Sequence, residues 1–152
     1  MRLYTYVVRS DTGFAPNPFF GYCTLACCKP GIRRTARVGD WIVGLTPKAL
    51  NSKIVYVMKV EESLTFEKYY QYKRFRKKIP DLTGNCMQRC GDNIYAPQRD
   101  GSLRQLPSKH SSGNREDRKQ KKRDLRGKRV LVSSHFSYFG SKARVLPDGF
   151  LE

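Results

Sequence analysis

Residues 53–79 change hydrophobic period, and this change restricts the possible fold class more than any other feature of the chain. The run KIVYVMKVEESLT, residues 53–65, is mostly apolar in its first half, which is typical of a central strand. In TFEKYYQYKRFRKKI, residues 65–79, aromatic side chains recur every three or four residues between charged ones, as on an amphipathic helix whose aromatic side packs in the core. A strand followed directly by a helix predicts mixed α and β structure.

Several other stretches have the composition of strands. These are residues 3–9, 40–46 and 129–140, with a short last strand expected within 143–152. Few helices and hairpin-like spacing predict the α+β class, with a small, curled, mainly antiparallel sheet and a flanking amphipathic helix. The alternative is a small β-barrel with the helix across one opening, because closure removes exposed sheet edges.

The chain of 152 residues has the length of one domain, and we assign residues 1–152 to a single domain. Residues 97–129 form a basic insertion within it. Between residues 99 and 129 the chain has 12 Lys or Arg against four Asp or Glu. A segment so charged buries too little apolar surface to fold alone, so we expect the insertion to be mobile.

The formal charge of the chain is +17, which makes nucleic acid the first partner to consider. An acidic membrane surface is not supported, because the sequence has no long basic amphipathic helix and no lipidation signal. The N-terminus has no signal-peptide pattern, and no run approaches the length of a membrane span. We therefore expect a cytoplasmic protein that binds nucleic acid, DNA rather than RNA; the sequence does not indicate an oligomeric state.

The five cysteines are an odd number in a chain without a secretory signal, which favours reduced thiols over disulfides. Two pairs have the Cys-x3-Cys spacing that structural zinc tolerates, but their sequence context is unfavourable, so we expect no metal. No cofactor motif is present, and we expect no cofactor. His110 lies in a polar segment typical of a solvated histidine, and His135 lies in a predicted strand. The possible zinc ligands are Cys23, Cys27, Cys28, Cys86, Cys90 and His110.

Four cations precede the only tryptophan, Trp41, within nine residues, and a second cluster lies in the basic insertion. Solvated loop positions would explain these charges. In a chain of this net charge, clustering favours a phosphate-binding surface, and an arginine fork suits bidentate contacts. The predicted phosphate-binding residues are Lys29, Arg33, Arg34, Arg37, Lys119, Lys121, Lys122 and Arg123.

Short polar side chains on predicted turns suggest a pocket for a base or nucleotide. Turn formation and core packing are equally good explanations of these residues. As a pocket, the loops 11–17 and 29–33 and the turn 92–95 would converge, with aromatic rings stacking on a base. Proton-transfer candidates are Asp11, Lys29 and Asp92. The predicted pocket residues are Asp11, Asn17, Lys29, Arg33, Trp41, Asp92, Asn93 and Tyr95, and the candidate stacking rings include Phe14 and Phe19.

Four segments together resemble the nucleotide modification associated domain family, type two: SDTGFAPNPF, TLACCKPGIRRTARVGDWIVGL, GDNIY and FSYFG. The resemblance extends from about residue 5 to residue 146. It implies a bacterial or phage protein linked to DNA base hypermodification, without specifying a reaction. The layout around VGDWIVGL is also similar to that of PUA, EVE and ASCH domains, which implies a PUA-like barrel that binds RNA or a modified base.

Three functions are consistent with the sequence. The first is a module that binds a nucleotide or modified base in DNA beside a basic phosphate-binding surface. The second is an enzyme that acts on such a base or nucleotide in hypermodification. The third is a generic RNA-binding PUA-like module. The sequence does not decide between a binding protein and an enzyme, and it names no base.

Overall fold

A computed structural model describes residues 1–150 and contains two main sheets and a separate hairpin. The first sheet has the strand order β1 (Leu3–Val7), β3 (Trp41–Leu45), β4 (Ile54–Lys59) and β9 (Phe136–Tyr138). The strands β1 and β3 are parallel, and the other pairs are antiparallel. The second sheet is antiparallel, in the order β2 (Cys23–Leu25), β8 (Val130–Ser133) and β5 (Glu62–Leu64).

A bent antiparallel ribbon connects the two sheets. The strand β4 continues into β5 of the second sheet, and β8 continues into β9 of the first. At the bend, Lys59 N–H donates to the His135 carbonyl and Glu61 N–H to that of Val132, 3.0 Å each. The Glu61 carboxylate also accepts hydrogen bonds from Ser134. Two predicted single strands are therefore each divided between two sheets.

Four short α-helices and the hairpin complete the fold. The helices are α1 (Pro30–Thr35), α2 (Phe66–Gln71), α3 (Cys86–Arg89) and α4 (Arg118–Leu125), and the hairpin pairs β6 (Tyr95–Pro97) with β7 (Leu103–Gln105). A 3-10 helix, Lys73–Lys78, follows α2, with shorter 3-10 turns at Lys48–Leu50 and Gly140–Lys142. The basic insertion contains β7 and α4; its mobility stays a prediction.

Two clusters of buried side chains form the core. One joins α2 to β6 and β8, through Phe66, Tyr69, Tyr95 and Val130 among others. The other lies between the two sheets and includes Ile42, Met58 and Leu131. The first cluster lies beneath the loops that carry the candidate site.

The α+β class is confirmed, and the barrel alternative is wrong. Neither main sheet closes, since β1 and β9 remain edges of the first sheet and β2 and β5 edges of the second. The predicted long helix ends at Tyr72, which has extended backbone, and continues as the 3-10 helix. Of the expected last strand, residues 143–150 contribute one bridge, between Arg144 and Ile54, and residues 151–152 lie outside the described residues.

Within residues 1–150, no helix has both the length and the apolar composition needed to cross a membrane.

Candidate active site

Cys28 lies at the sharp turn between the buried strand β2 and helix α1. Its φ is 59° and that of the next residue, Lys29, is 41°, both in the left-handed region that non-glycine residues rarely adopt. Such backbone persists only where surrounding structure holds it, and it occurs often at functional sites. Cys28 is half-buried, whereas its neighbour Cys27 is fully buried.

The thiol of Cys28 is the first member of a chain of three polar side chains. Its Sγ lies 3.5 Å from Nε2 of His110. Nδ1 of the same ring lies 2.6 Å from Oδ2 of Asp124, which is fully buried. A thiol, an imidazole and a carboxylate in this order form the arrangement that activates cysteine nucleophiles on unrelated folds.

Asp124 is held in place by two further donors. The backbone N–H of Cys28 donates to its Oδ1 at 2.9 Å, and the hydroxyl of Tyr95 donates to its Oδ2 at 2.6 Å. The buried side chain of Gln105 in turn donates to the Tyr95 hydroxyl and to the backbone carbonyl of His110. These bonds fix both the carboxylate and the loop that carries the imidazole.

Arg33 fastens the backbone on both sides of this chain. Its guanidinium donates to the carbonyls of Cys28 and Asp124 at 2.6 Å each, and to that of Arg129 at 3.1 Å. The side chain is fully buried, and Gly127 packs so closely that a Cβ there would lie 2.3 Å from the guanidinium. The expectation that Arg33 contacts phosphate is thus corrected, because its donors face carbonyl oxygens rather than solvent.

The electrostatics of the site favour a charged imidazole. Burial of His110 opposes its charge, but the hydrogen bonds to Asp124 and Cys28 outweigh this and raise its pKa to about 9. Burial likewise opposes the charge of Asp124, yet the bond to His110 and the hydroxyl of Tyr95 lower the pKa of that carboxyl. With a pKa of about 9, most His110 rings are imidazolium at neutral pH.

The free energy of unfolding should carry a contribution from His110 that is lost as pH rises through about 9. The folded protein keeps a proton on His110 that the unfolded chain releases near 6.5, so this stability is complete below 6.5. His110→Gln should remove the contribution, and His135→Gln, which changes the exposed histidine, should retain it. Lys78, whose pKa burial lowers to about 8, titrates in the same range but is common to all three proteins.

Chemical denaturation of the three proteins from about pH 6 to pH 10 measures this difference. Parallel stability profiles for the wild type and His110→Gln would contradict the ion pair.

Two cavities meet at Cys28. The imidazole cavity, about 270 Å³, is lined by Cys28, His110, Phe14 and Lys109 together with small residues. Phe14 lies edge-on to the His110 ring, with 4.7 Å between ring centres.

The basic cavity, about 180 Å³, is lined by Cys28 and by three cations, Arg9, Lys29 and Arg123. Tyr6 also lines it and carries the Lys29 ammonium over its ring, 5.0 Å from the ring centre. Cys28 therefore lines two small cavities, one beside the imidazole and one bordered by three cations.

A larger cavity, about 640 Å³, lies elsewhere, between Tyr70, Arg76, Pro80 and their neighbours. Its lining has no cysteine, histidine or buried carboxylate, so size alone does not identify the chemical site. Among the described residues, a thiol, an imidazole and a buried carboxylate lie together at Cys28.

Cys27 lies beside the chain but differs from Cys28 chemically. Its sulfur and the nearest atoms of His110 and Asp124 all lie within 4.8 Å of one another. Each of these groups already has a hydrogen-bond partner in the protein, that of Cys27 being the Asp92 carbonyl. Burial raises the pKa of Cys27 well above its usual value, so this thiol stays protonated. The expectation that no metal binds stays a prediction.

The predicted pocket residues of the 92–95 turn lie beneath the site rather than in a cavity. Asp92 is buried and accepts hydrogen bonds from Thr24 at 2.6 Å and Tyr69 at 2.5 Å. Burial raises the pKa of Asp92. Asn93 donates to the backbone carbonyls of Tyr69 and Phe75. Both side chains thus join α2 to the strands.

Asn17 and Lys78 form a similar buried link. The ammonium of Lys78 donates to Oδ1 of Asn17 at 2.7 Å and to the Tyr22 carbonyl at 2.8 Å. Asn17 itself donates to the Cys90 carbonyl at 3.0 Å. This link positions the loop 10–22, whose residues 10, 12, 14 and 15 line the cavities.

The other predicted site residues are divided between the cavities and the surface. Lys29 and Arg123 line the basic cavity, and Tyr95 supports Asp124. Asp11 is exposed and accepts a hydrogen bond from Tyr138. Trp41 is half-buried, with its ring 5.4 Å from that of His135. The remaining cations line neither cavity: Arg34, Arg37, Lys119 and Lys122 are exposed, and Lys121 pairs with Glu116.

Three residues of the site were not identified as a unit from the sequence. The sequence indicates Cys28 and His110 only as possible zinc ligands, and Asp124 only as one charge of the basic insertion. The turn signal Lys-Pro-Gly directly after Cys28 marks a strand-to-helix turn, which is the one local clue to an exposed nucleophile.

Comparison with known proteins identifies one family. The family model described as nucleotide modification associated domain 2 matches residues 1–152, the whole chain. No curated protein and no solved structure matches the chain.

Proposed function

Because this chain belongs to the nucleotide modification associated domain 2 family, we propose that it is an enzyme of nucleotide modification that acts on DNA through the thiol of Cys28. The observation that carries the proposal is the chain from Cys28 through His110 to the buried Asp124. Membership of the family indicates the process, nucleotide modification, and the three side chains indicate a reaction through a nucleophilic thiol. The substrate is a nucleotide or base, modified or not, held in DNA.

Charge around the thiol supports a nucleic-acid substrate. Arg9, Lys29 and Arg123 line the basic cavity, and Lys109 lines the imidazole cavity. Lysine and arginine bind phosphate and release condensed counterions from DNA. Tyr6 lines the basic cavity and Phe14 the imidazole cavity, which adds apolar surface next to these cations.

Each polar residue has a defined role in this proposal. Cys28 is the nucleophile and His110 is the group that gives and takes a proton at Nε2. Asp124 orients the imidazole through Nδ1 and stabilises its charge. Arg33 is a positioning residue, because it binds backbone on both sides of the chain and touches no cavity.

Alkylation by iodoacetamide, followed by peptide mass spectrometry, tests the nucleophile in the intact protein. At about pH 6 we expect Cys28 to react at least about tenfold faster than Cys86, because the imidazole held by Asp124 lies 3.5 Å from its Sγ, the arrangement that activates a cysteine nucleophile. Cys86 is a demanding internal reference, since it is exposed and lies 3.3 Å from a guanidinium nitrogen of Arg89.

The variants His110→Ala and Asp124→Asn should reduce labelling of Cys28 toward that of Cys86. Far-ultraviolet circular dichroism checks that each variant is folded, and Cys86→Ser should leave Cys28 labelling unchanged. If Cys28 reacts no faster than Cys86 in the wild type, the proposed nucleophile is wrong.

A second candidate is a protein that binds a nucleotide or modified base without changing it. The cations of the small basic cavity favour this candidate, because they can bind a nucleotide without any reaction at Cys28. The two functions differ in their products. Nucleoside mass spectrometry of DNA from cells that express the wild type or Cys28→Ser separates them. An enzyme produces a changed nucleoside with the wild type and none with Cys28→Ser, whereas a binding protein produces none with either.

A further inference from the structure

Cys28 stands on the boundary between two cavities of different character. Ser10, Ala15 and Cys28 line both of them. The imidazole cavity is lined by His110, Phe14 and one lysine, and the basic cavity is lined by three lysine or arginine residues. A hydrolase needs one substrate space and access for water. A thiol between two spaces suits a reaction in which one substrate loads the sulfur and another unloads it.

We propose that Cys28 transfers an acyl group from a small ester or thioester in the imidazole cavity to an amine or hydroxyl group on a nucleotide in the basic cavity. This inference rests on the proposed function for the nucleophile and adds the reaction class and the two substrate classes. The positions of the cations indicate which substrate each cavity holds. The three cations of the basic cavity would bind phosphates of DNA. The imidazole cavity has one lysine, Lys109, and the ring of Phe14 beside Cys28, which suits a short acyl donor.

The first step forms a thioester. The thiolate of Cys28 attacks the carbonyl carbon of the donor, and the new C–S bond creates a tetrahedral intermediate. When this intermediate collapses, the bond from carbon to the leaving oxygen or sulfur breaks. The leaving group takes the proton from Nε2 of His110, which lies 3.5 Å from Sγ. The products are the acylated Cys28, a neutral imidazole and the free alcohol or thiol.

The second step returns the thiol site to its starting state. The amine or hydroxyl group of the nucleotide attacks the thioester carbon, and the neutral imidazole takes its proton at Nε2. The C–S bond breaks, leaving the Cys28 thiolate beside an imidazolium held by Asp124. The nucleotide leaves as an amide or ester. No electrons are gained or lost overall, so no redox cofactor is required.

The intact protein, p-nitrophenyl acetate and a defined oligonucleotide test this transfer. The oligonucleotide carries one 5-aminomethyl-2′-deoxyuridine, and its control carries thymidine at that position. We expect Cys28 to be acetylated and the aminomethyl nucleoside to become acetylated at least about 100-fold faster than in Cys28→Ser, because that variant lacks the nucleophilic thiol. Peptide and nucleoside mass spectrometry measure both products.

A charge variant tests the assignment of the two sides. Arg123→Gln should lower the ratio of nucleoside acetylation to Cys28 acetylation, because Arg123 lines only the basic cavity. Lys68→Gln, which removes an exposed cation of α2 that lines neither cavity, should leave that ratio unchanged.

The outcomes separate this inference from the proposed function. If Cys28 is acetylated but only water removes the acetyl group, the transfer inference is wrong and the nucleophile stands. If Cys28 is not acetylated although iodoacetamide labels it rapidly, the acyl class is wrong. If neither reagent modifies it preferentially, the proposed function itself fails.

Discussion

Arg33→Ala should lower the free energy of unfolding by about 4 kcal/mol, because it removes the side-chain donor of three carbonyl oxygens, of which only that of Asp124 keeps a second donor within the described residues, the Gly127 N–H. Each unsatisfied buried polar group costs about 1–3 kcal/mol. The affected carbonyls belong to Cys28, Asp124 and Arg129, so the loss also loosens the candidate site. Urea denaturation monitored by circular dichroism measures the change.

The adjacent residue provides a matched control for Arg33. Arg34→Ala removes the same side chain from an exposed position of α1 and should change stability by less than about 0.5 kcal/mol. If Arg33→Ala does not fold, Gly127→Ala tests the same contact without removing the guanidinium. The added Cβ would lie 2.3 Å from the guanidinium and would displace it from its carbonyl partners. An Arg33→Ala protein as stable as the wild type would contradict this structural role of the guanidinium.

Affinity for duplex DNA should fall about 100-fold between about 50 and 200 mM salt. Four cations line the cavities at Cys28, and four phosphate contacts correspond to a slope of about −3.6 in a plot of log affinity against log salt. Fluorescence anisotropy with a labelled duplex at several salt concentrations measures this slope. An affinity that hardly responds to salt would exclude a polyanion partner.

Paired charge variants locate the contacts. Lys29→Gln combined with Arg123→Gln should reduce the slope by about two, because both cations line the basic cavity. Lys68→Gln combined with Lys73→Gln removes the same charge from exposed positions that line neither cavity and should leave the slope unchanged. Further loss of Lys119 and Lys122 on α4 should weaken binding to all sequences alike, since phosphate contacts carry no sequence information.

Sequence periodicity predicted the α+β class and the positions of most strands, because alternation and apolar runs report burial directly. It did not predict the bend at residues 60 and 61, where side chains remain buried on both sides of the corner. The helix of residues 65–79 shows why period alone is insufficient. Its aromatic residues at 66, 69, 72 and 75 are three apart, and on an α-helix such a series rotates by about 60° per step.

A continuous α-helix would therefore turn Phe75 to the side opposite Phe66. The break at Tyr72 avoids this, since the following 3-10 helix returns Phe75 to the core while Tyr72 remains partly exposed. The sequence signal for the 3-10 helix is the strict spacing of three residues between the aromatic side chains, because three is the period of a 3-10 helix.

The site was less predictable than the fold, for a reason of chain topology. Cys28 lies 82 residues from His110 and 96 from Asp124, so no local pattern joins them. Charge did not predict the burial of Arg33, which has the same local composition as its exposed neighbour Arg34. Asp92 and Asn93 resemble polar loop residues in sequence, and only the packing of α2 reveals them as internal links.

The separation between Cys28 and Asp124 has a consequence for synthesis of the protein. The ribosome adds Cys28 to the chain 82 residues before His110 and 96 residues before Asp124, so during much of translation the chain contains the thiol without either partner. During that interval the Cys28 thiol has no imidazole beside it and is not activated as a nucleophile. Reactivity would begin only when α4 docks against the turn at Cys28, so an incomplete or truncated chain carries no activated nucleophile that would modify cellular components indiscriminately.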